Sequence, residues 1–217
     1  MRKTLRGSLL MAGFLAATLG MSLSAQAETL RVKITNLTQG QIFSPPIVIA
    51  HPRNMSTFKF GEAASDALAT LAETGSPADL AAEVGALGAD VATHDGMILP
   101  GESGIVTIET TGANRRISVL AMLVSTNDAF FAVDSVKPTG RFSRFFASAY
   151  DAGSEANNED CGFVPGPPCG GMARDEGGAE GFVHVHSGIH GIADLFPADL
   201  DWGNPVAMVN VVRGSQP

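Results

Sequence analysis

Apolar residues in this chain recur in steps of two, in short runs separated by Gly, Pro, Asn and Ser, and that rhythm points to antiparallel β structure. Leu30, Val32 and Ile34 alternate with Arg31, Lys33 and Thr35, the pattern of a half-buried strand. Ile47–Ala50 follows two prolines and reads as a more deeply buried one. Period-two runs return over Gly104–Thr110, where Ile105, Thr107 and Glu109 face one way, then over Arg116–Val124 and Ala129–Val133. Phe182–His186 and Pro205–Arg213 read as closing strands, and Asp151–Gly178 as a long loop. Residues 62–92 differ, being rich in Ala and Leu. Two helices fit there, Ala63–Glu73 and Pro77–Leu87, with Ser76 as N-cap and Pro77 at N1 of the second. Long helices alternating with strands, the mark of a parallel sheet, are missing. The expectation is an all-β chain: one antiparallel β-sandwich with a small helical insertion at about residues 62–92.

The amino terminus reads as an address. Arg2, Lys3 and Arg6 precede an apolar run from Leu9 to Leu23, and Ala25-Gln26-Ala27 follows as a small-x-small cleavage pattern. The run is shorter than the roughly 20 residues that span a bilayer. Residues 1–27 are therefore expected to be a signal peptide, leaving 28–217 as one domain in the periplasm or outside the cell, with no transmembrane segment after cleavage. The whole chain carries 14 basic and 22 acidic residues, a net charge of -8. Without its first 27 residues 11 basic residues remain, and the net charge is -11. Such a surface repels phosphate backbones and anionic lipid, which argues against a nucleic-acid partner, and it favours cations. Export also changes how Cys161 and Cys169 read. Separated by a Gly- and Pro-rich stretch, they are expected to form a local disulfide, since two thiols alone make no zinc site.

No nucleophile elbow, phosphate-binding loop, His-Glu-x-x-His or dinucleotide fingerprint is present, and no enzymatic activity is expected. Two groups of residues invite a metal reading. In His184-Val-His186-Ser-Gly-Ile-His190, the first two histidines would share one face of a strand, with His190 folding back and Asp194 as an acidic partner. The alternative is that these histidines only pack and hydrogen-bond. The second group is acidic: Glu109, Asp128 and Asp151 lie at strand ends, and carboxylates gathered from separate loops need a hard cation such as calcium to offset their repulsion.

Three stretches carry a likeness. Tyr150-Asp-Ala-Gly-Ser-Glu155, Glu180-Gly-Phe-Val-His-Val-His-Ser-Gly-Ile-His-Gly191 and Asp201-Trp-Gly-Asn-Pro-Val-Ala207, with the opening Val32-Lys-Ile-Thr-Asn-Leu37, resemble the spondin domain. That module is found at the amino terminus of F-spondin and mindin and as a stand-alone secreted protein in bacteria. The resemblance implies a C2-like antiparallel β-sandwich binding one calcium ion (Ca2+) at a loop end. Matched motif by motif, it implies Glu109, Asp128 and Asp151 as ligands, with oxygens from Ser125, Asn127 or Ser154 completing the shell. Asp151 matches best, because its motif is intact, whereas Asp128 matches by position and by the apolar strand that follows.

The leading expectation is an exported calcium-binding adhesion or interaction module whose partner is an unidentified protein, glycan or matrix ligand. The rival is a transition-metal-binding protein or metalloenzyme built on His184, His186 and His190. A third reading is a purely structural envelope or matrix component. The sole tryptophan, Trp202, is expected to anchor core or loop rather than a ligand.

Overall fold

A computed structural model describes residues 27–175 and 177–214. Nine strands stand among them, all paired antiparallel. They are β1 (Glu28–Asn36), β2 (Ile47–His51), β3 (Asp90–Thr93), β4 (Ser103–Thr110), β5 (Arg116–Met122), β6 (Ala129–Val136), β7 (Phe142–Asp151), β8 (His184–Val185) and β9 (Ala207–Arg213). The neighbour order is β3-β2-β5-β6-β7-β9-β1-β4, with β8 added to β7.

Strand β7 joins two layers. Its first half, Phe142 to Ala147, pairs with β9, and its second half, Ser148 to Asp151, pairs with β6. The sheet folds on itself there. Leu30, Val32 and Ile34 of β1 then share one core with Val48 and Ala50 of β2 and Val119, Ala121 and Phe131 of β5 and β6. Phe43 and Phe131 meet within this core, ring centroids 4.5 Å apart. This is the expected sandwich.

Helices α1 (Asp66–Thr74) and α2 (Ala78–Ala86) connect β2 to β3, where the Ala- and Leu-rich stretch placed them. Ser65 caps α1, its hydroxyl accepting from the Leu68 amide at 3.2 Å, and Gly75 ends it at φ 73° with its amide on the Leu71 carbonyl. Helix α2 begins one residue later than the sequence suggests, with Pro77 itself as the N-cap. Leu68, Leu71, Leu80 and Val84 cover the outer face of the β2-β5-β6 layer, against Ile47, Ile49, Leu120 and Phe130. That layer has a core on each side, which is why β2 is buried at every position and shows no alternation.

Three elements went unread in the sequence: β3, the ten-residue β7 and the short helix α3 (Pro197–Leu200). In β7 the phenylalanines fall on both faces, Phe142 and Phe146 outside and Phe145 turned to the core, while alanines fill its inner positions near the end. A strand whose outward side chains are as apolar as its inward ones has no period-two signal.

Cys161 and Cys169 are joined by a disulfide, Cα atoms 4.9 Å apart. Cys169 and Trp202 pack on a satellite cluster of Val164, Ile189, Leu195 and Leu200, so the tryptophan anchors a loop, as expected. Among the described residues no helix is long and apolar enough to cross a membrane. Of the segment read as a signal peptide, residues 1–26 lie outside the described residues.

Candidate metal centre

The turn before β6 and the end of β7 bring two carboxylates together. Ala129 stands opposite Asp151 in the ladder, and the Ala152 amide donates to the Asp128 carbonyl at 3.2 Å. The Asp-Ala-Gly-Ser-Glu turn then closes around them. Gly153, at φ 66°, donates its amide to Asp151 Oδ1 at 2.7 Å. The Ser154 and Glu155 amides donate to Asp128 Oδ2 at 2.8 and 3.1 Å, joined by the Ser154 hydroxyl at 3.2 Å. Both aspartates are completely buried. Asp128 Oδ1, however, has no hydrogen-bond partner, an arrangement that costs stability wherever a buried polar atom is left bare.

Strand β8 supplies the third side. His184 pairs directly with Asp151, and its Nε2 lies 3.6 Å from Asp151 Oδ1 and 4.0 Å from Glu180 Oε2. His184 Nδ1 lies 3.0 Å from the Val185 carbonyl. A carbonyl can only accept, so in the neutral ring that nitrogen carries the hydrogen and Nε2 holds a lone pair. Nε2 is buried and unpartnered, and it faces two carboxylates. A lone pair aimed at anionic oxygens repels them unless a cation or a proton lies between. Asp151, Glu180 and His184 each offer a ligand atom within 4.8 Å of the others, so this group is able to hold a metal ion.

His186 orients this group without belonging to it. Its Nε2 bonds Asn157 Oδ1 at 3.0 Å, Asn157 Nδ2 in turn donates to Asp151 Oδ2 at 2.5 Å, and His186 Nδ1 accepts the Gly188 amide at 3.0 Å. Trp202 packs 5.1 Å from the ring. Burial, and then the neighbouring His184 and His190, push the His186 pKa down to about 4, which keeps it neutral. With both nitrogens engaged it has no lone pair to give. His190 stands apart, its Nε2 3.0 Å from the Ser187 hydroxyl. Asp194 accepts from the Cys161 amide at 2.9 Å and does not serve the histidines.

Electrostatics agree with this geometry. Burial first, and then the charge of Asp151, push the Asp128 carboxyl up to about 7. Burial raises Asp151 as well, and raises the neighbouring Glu155 to about 8. The pocket therefore resists carrying its full negative charge without a counter-ion.

Of the residues the sequence singled out, Asp128 and Asp151 come together and Glu109 does not. Glu109 stands opposite Thr29 near the start of β1 and accepts its hydroxyl at 2.5 Å. The β1, β9 and β7 registers carry Arg31, two residues inside Thr29, to Phe142, which is nine positions along β7 from Asp151. Glu109 thus lies at the opposite end of the sandwich, roughly 30 Å away at about 3.3 Å per strand residue. Glu180, which the sequence reading did not single out, stands beside Asp151 and His184 instead. A bend at Gly181 and Phe182, with Gly181 at φ 79°, turns Glu180 beside His184, and no strand pattern in the sequence foretells that approach. No family model matches this chain, and no curated protein matches it either.

Proposed function

We propose that this protein is an exported binding module, not an enzyme, in which one divalent cation bridges Asp151, Glu180 and His184 and fixes the loops at one end of the sandwich. The reading rests on the buried, unpartnered His184 Nε2 directed at two carboxylates. Cation binding replaces repulsion among those groups with attraction, and an ion held only by the native state adds about 2.7 kcal/mol at a hundredfold excess over its Kd. The adjoining cavity, lined by Asn127, Asn157, Glu159 and His186, is about 10 Å³, the size of one water. The disulfide fits an oxidising compartment, periplasmic or extracellular. The partner in this reading is an unidentified protein, glycan or matrix ligand.

Donor chemistry orders the ions. Imidazole with two carboxylates suits Zn2+ or Mn2+ better than Ca2+, which takes six to eight oxygens. Calcium is the second reading, favoured by the bare oxygen of Asp128 beside Asp151 and by the intact Asp-Ala-Gly motif. Calorimetric titration of chelator-treated protein with each ion, beside His184→Ala, separates them. A transition ion is expected to bind at one site and to lose more than about a hundredfold in affinity in the variant, because removing only a partner of a ligand already costs about 10- to 100-fold. Calcium binding that survives His184→Ala would favour the second reading. Absence of binding by all three ions would sink both.

A further inference from the structure

The net charge of the chain hides an uneven distribution. Among the described residues neither helix nor loop covers the outer face of the β4-β1-β9-β7 layer, and its side chains mix cations with large apolar groups. Lys33 stands opposite Ile105 of β4 and, across β9, at the level of Arg144. Arg31 lies one step along the same face. Ile105, Phe142 and Phe146 are 47%, 53% and 58% exposed. Arg31, Lys33, Ile105 and Phe142 border a shallow cleft of about 180 Å³. The Arg144 guanidinium donates to the neutral amide of Asn210 at 3.0 Å and lies 5.6 Å from the Phe142 ring centre. Lys33 and Arg144 therefore stand among exposed apolar side chains on one face of a protein carrying -8 overall. Glu109 stands only at its corner, taken up by Thr29.

We infer that this face docks the protein on an anionic phospholipid surface. Its charge is complementary to acidic headgroups. The phenylalanines and Ile105 supply the shallow apolar insertion that a purely electrostatic partner would not use. Strands β1, β9 and β7 are already paired on both sides, so a peptide cannot add to this face as a further strand beside them. A basic side chain near an anionic membrane strengthens binding roughly fivefold, so Lys33 and Arg144 together supply about 25-fold. The metal centre lies beyond the other end of β7, so docking is independent of it and is measurable in chelator.

The test is co-sedimentation of the purified protein with vesicles of phosphatidylcholine alone and of phosphatidylcholine with phosphatidylglycerol, at low and high salt. Binding is expected only to the anionic vesicles, weakening in salt. Lys33→Glu with Arg144→Glu is expected to lower it by more than about tenfold. Phe142→Ser with Phe146→Ser is expected to lower it at constant salt. All four sites are on the surface, and an unchanged melting temperature and Trp202 emission verify folding. Failure to bind anionic vesicles, equal binding to both vesicle types, or charge-reversed protein binding like wild type each overturns the proposal. Capture of the protein by heparin without vesicle binding also overturns it, in favour of a soluble polyanion.

Discussion

Asp128→Asn is expected to stabilise the metal-free protein and to impair the metal-loaded one. The carboxylate it replaces is fully buried, with Oδ2 satisfied by the Ser154 and Glu155 amides and Oδ1 bare. Asparagine keeps an oxygen for the amides and removes the charge that the bare Oδ1 shares. Relief of one buried, bare, charged oxygen is worth about 1–3 kcal/mol, or roughly 3–10 °C in Tm for a domain of this size. The pH profile carries the same signature. The native Asp128 carboxyl titrates at about 7, far above its ordinary 3.8, so the native state holds a proton that the unfolded chain has already released. Stability from that proton is present at low pH and is lost as pH rises towards and through 7. Asp151 and Glu155, also raised, act in the same sense. His186, lowered to about 4 from 6.5, acts in the opposite sense, but only below about 6.5. Between pH 6.5 and 8 the metal-free wild type should therefore lose Tm, and Asp128→Asn should lose less. Saturating metal should reduce the fall in the wild type, because a cation on Asp151 favours the charged form of Asp128 beside it, while the part due to Glu155 remains. A metal-free variant that melts lower than wild type at pH 8 would contradict this account of Asp128.

Gly153→Ala has the larger effect on the fold of the site. Gly153 occupies the left-handed region at φ 66°, and a Cβ there would stand 2.3 Å from the Phe182 carbonyl oxygen and 2.7 Å from the Phe182 nitrogen. Those atoms are backbone and belong to the segment that carries Glu180 and His184. They cannot yield without pulling apart the pair formed by the Gly181 amide and the Gly153 carbonyl at 2.8 Å. The same residue gives Asp151 its amide hydrogen bond. A cost of about 2–4 kcal/mol is expected, a sum of left-handed strain and overpacking, together with loss of high-affinity metal binding. Gly112→Ala is the control. It has φ 53° but nothing within 4 Å of its added Cβ, so it should cost only about 1 kcal/mol. Equal melting temperatures for the two variants would mean that close approach of the Phe182 segment plays no part.

Local pattern made most of the sandwich legible. Strand β1 could be read because one of its faces is wet, and α1 and α2 because their composition breaks with the strands around them. Strand β7 could not, because Phe142 and Phe146 lie on its outer face, the face that we infer meets lipid. The candidate site was half legible. Asp128 and Asp151 come from one motif and the turn next to it, whereas Glu180 and His184 arrive through a strand of only two residues after a long loop. The acidic and histidine groups read as rivals in the sequence because nothing local says that β8 lies on β7. Glu109 fails for the same reason in reverse. Its position at a strand end is correct, but only the register shows which end of the sandwich that is.

Anomalous X-ray diffraction from crystals of the protein soaked in zinc tests the central claim most directly. A single strong peak bonded to His184 Nε2 and to oxygens of Asp151 and Glu180, at about 2.0–2.2 Å, is the predicted result. Peaks confined to His190 or other surface groups, with none between Asp151 and His184, would contradict it.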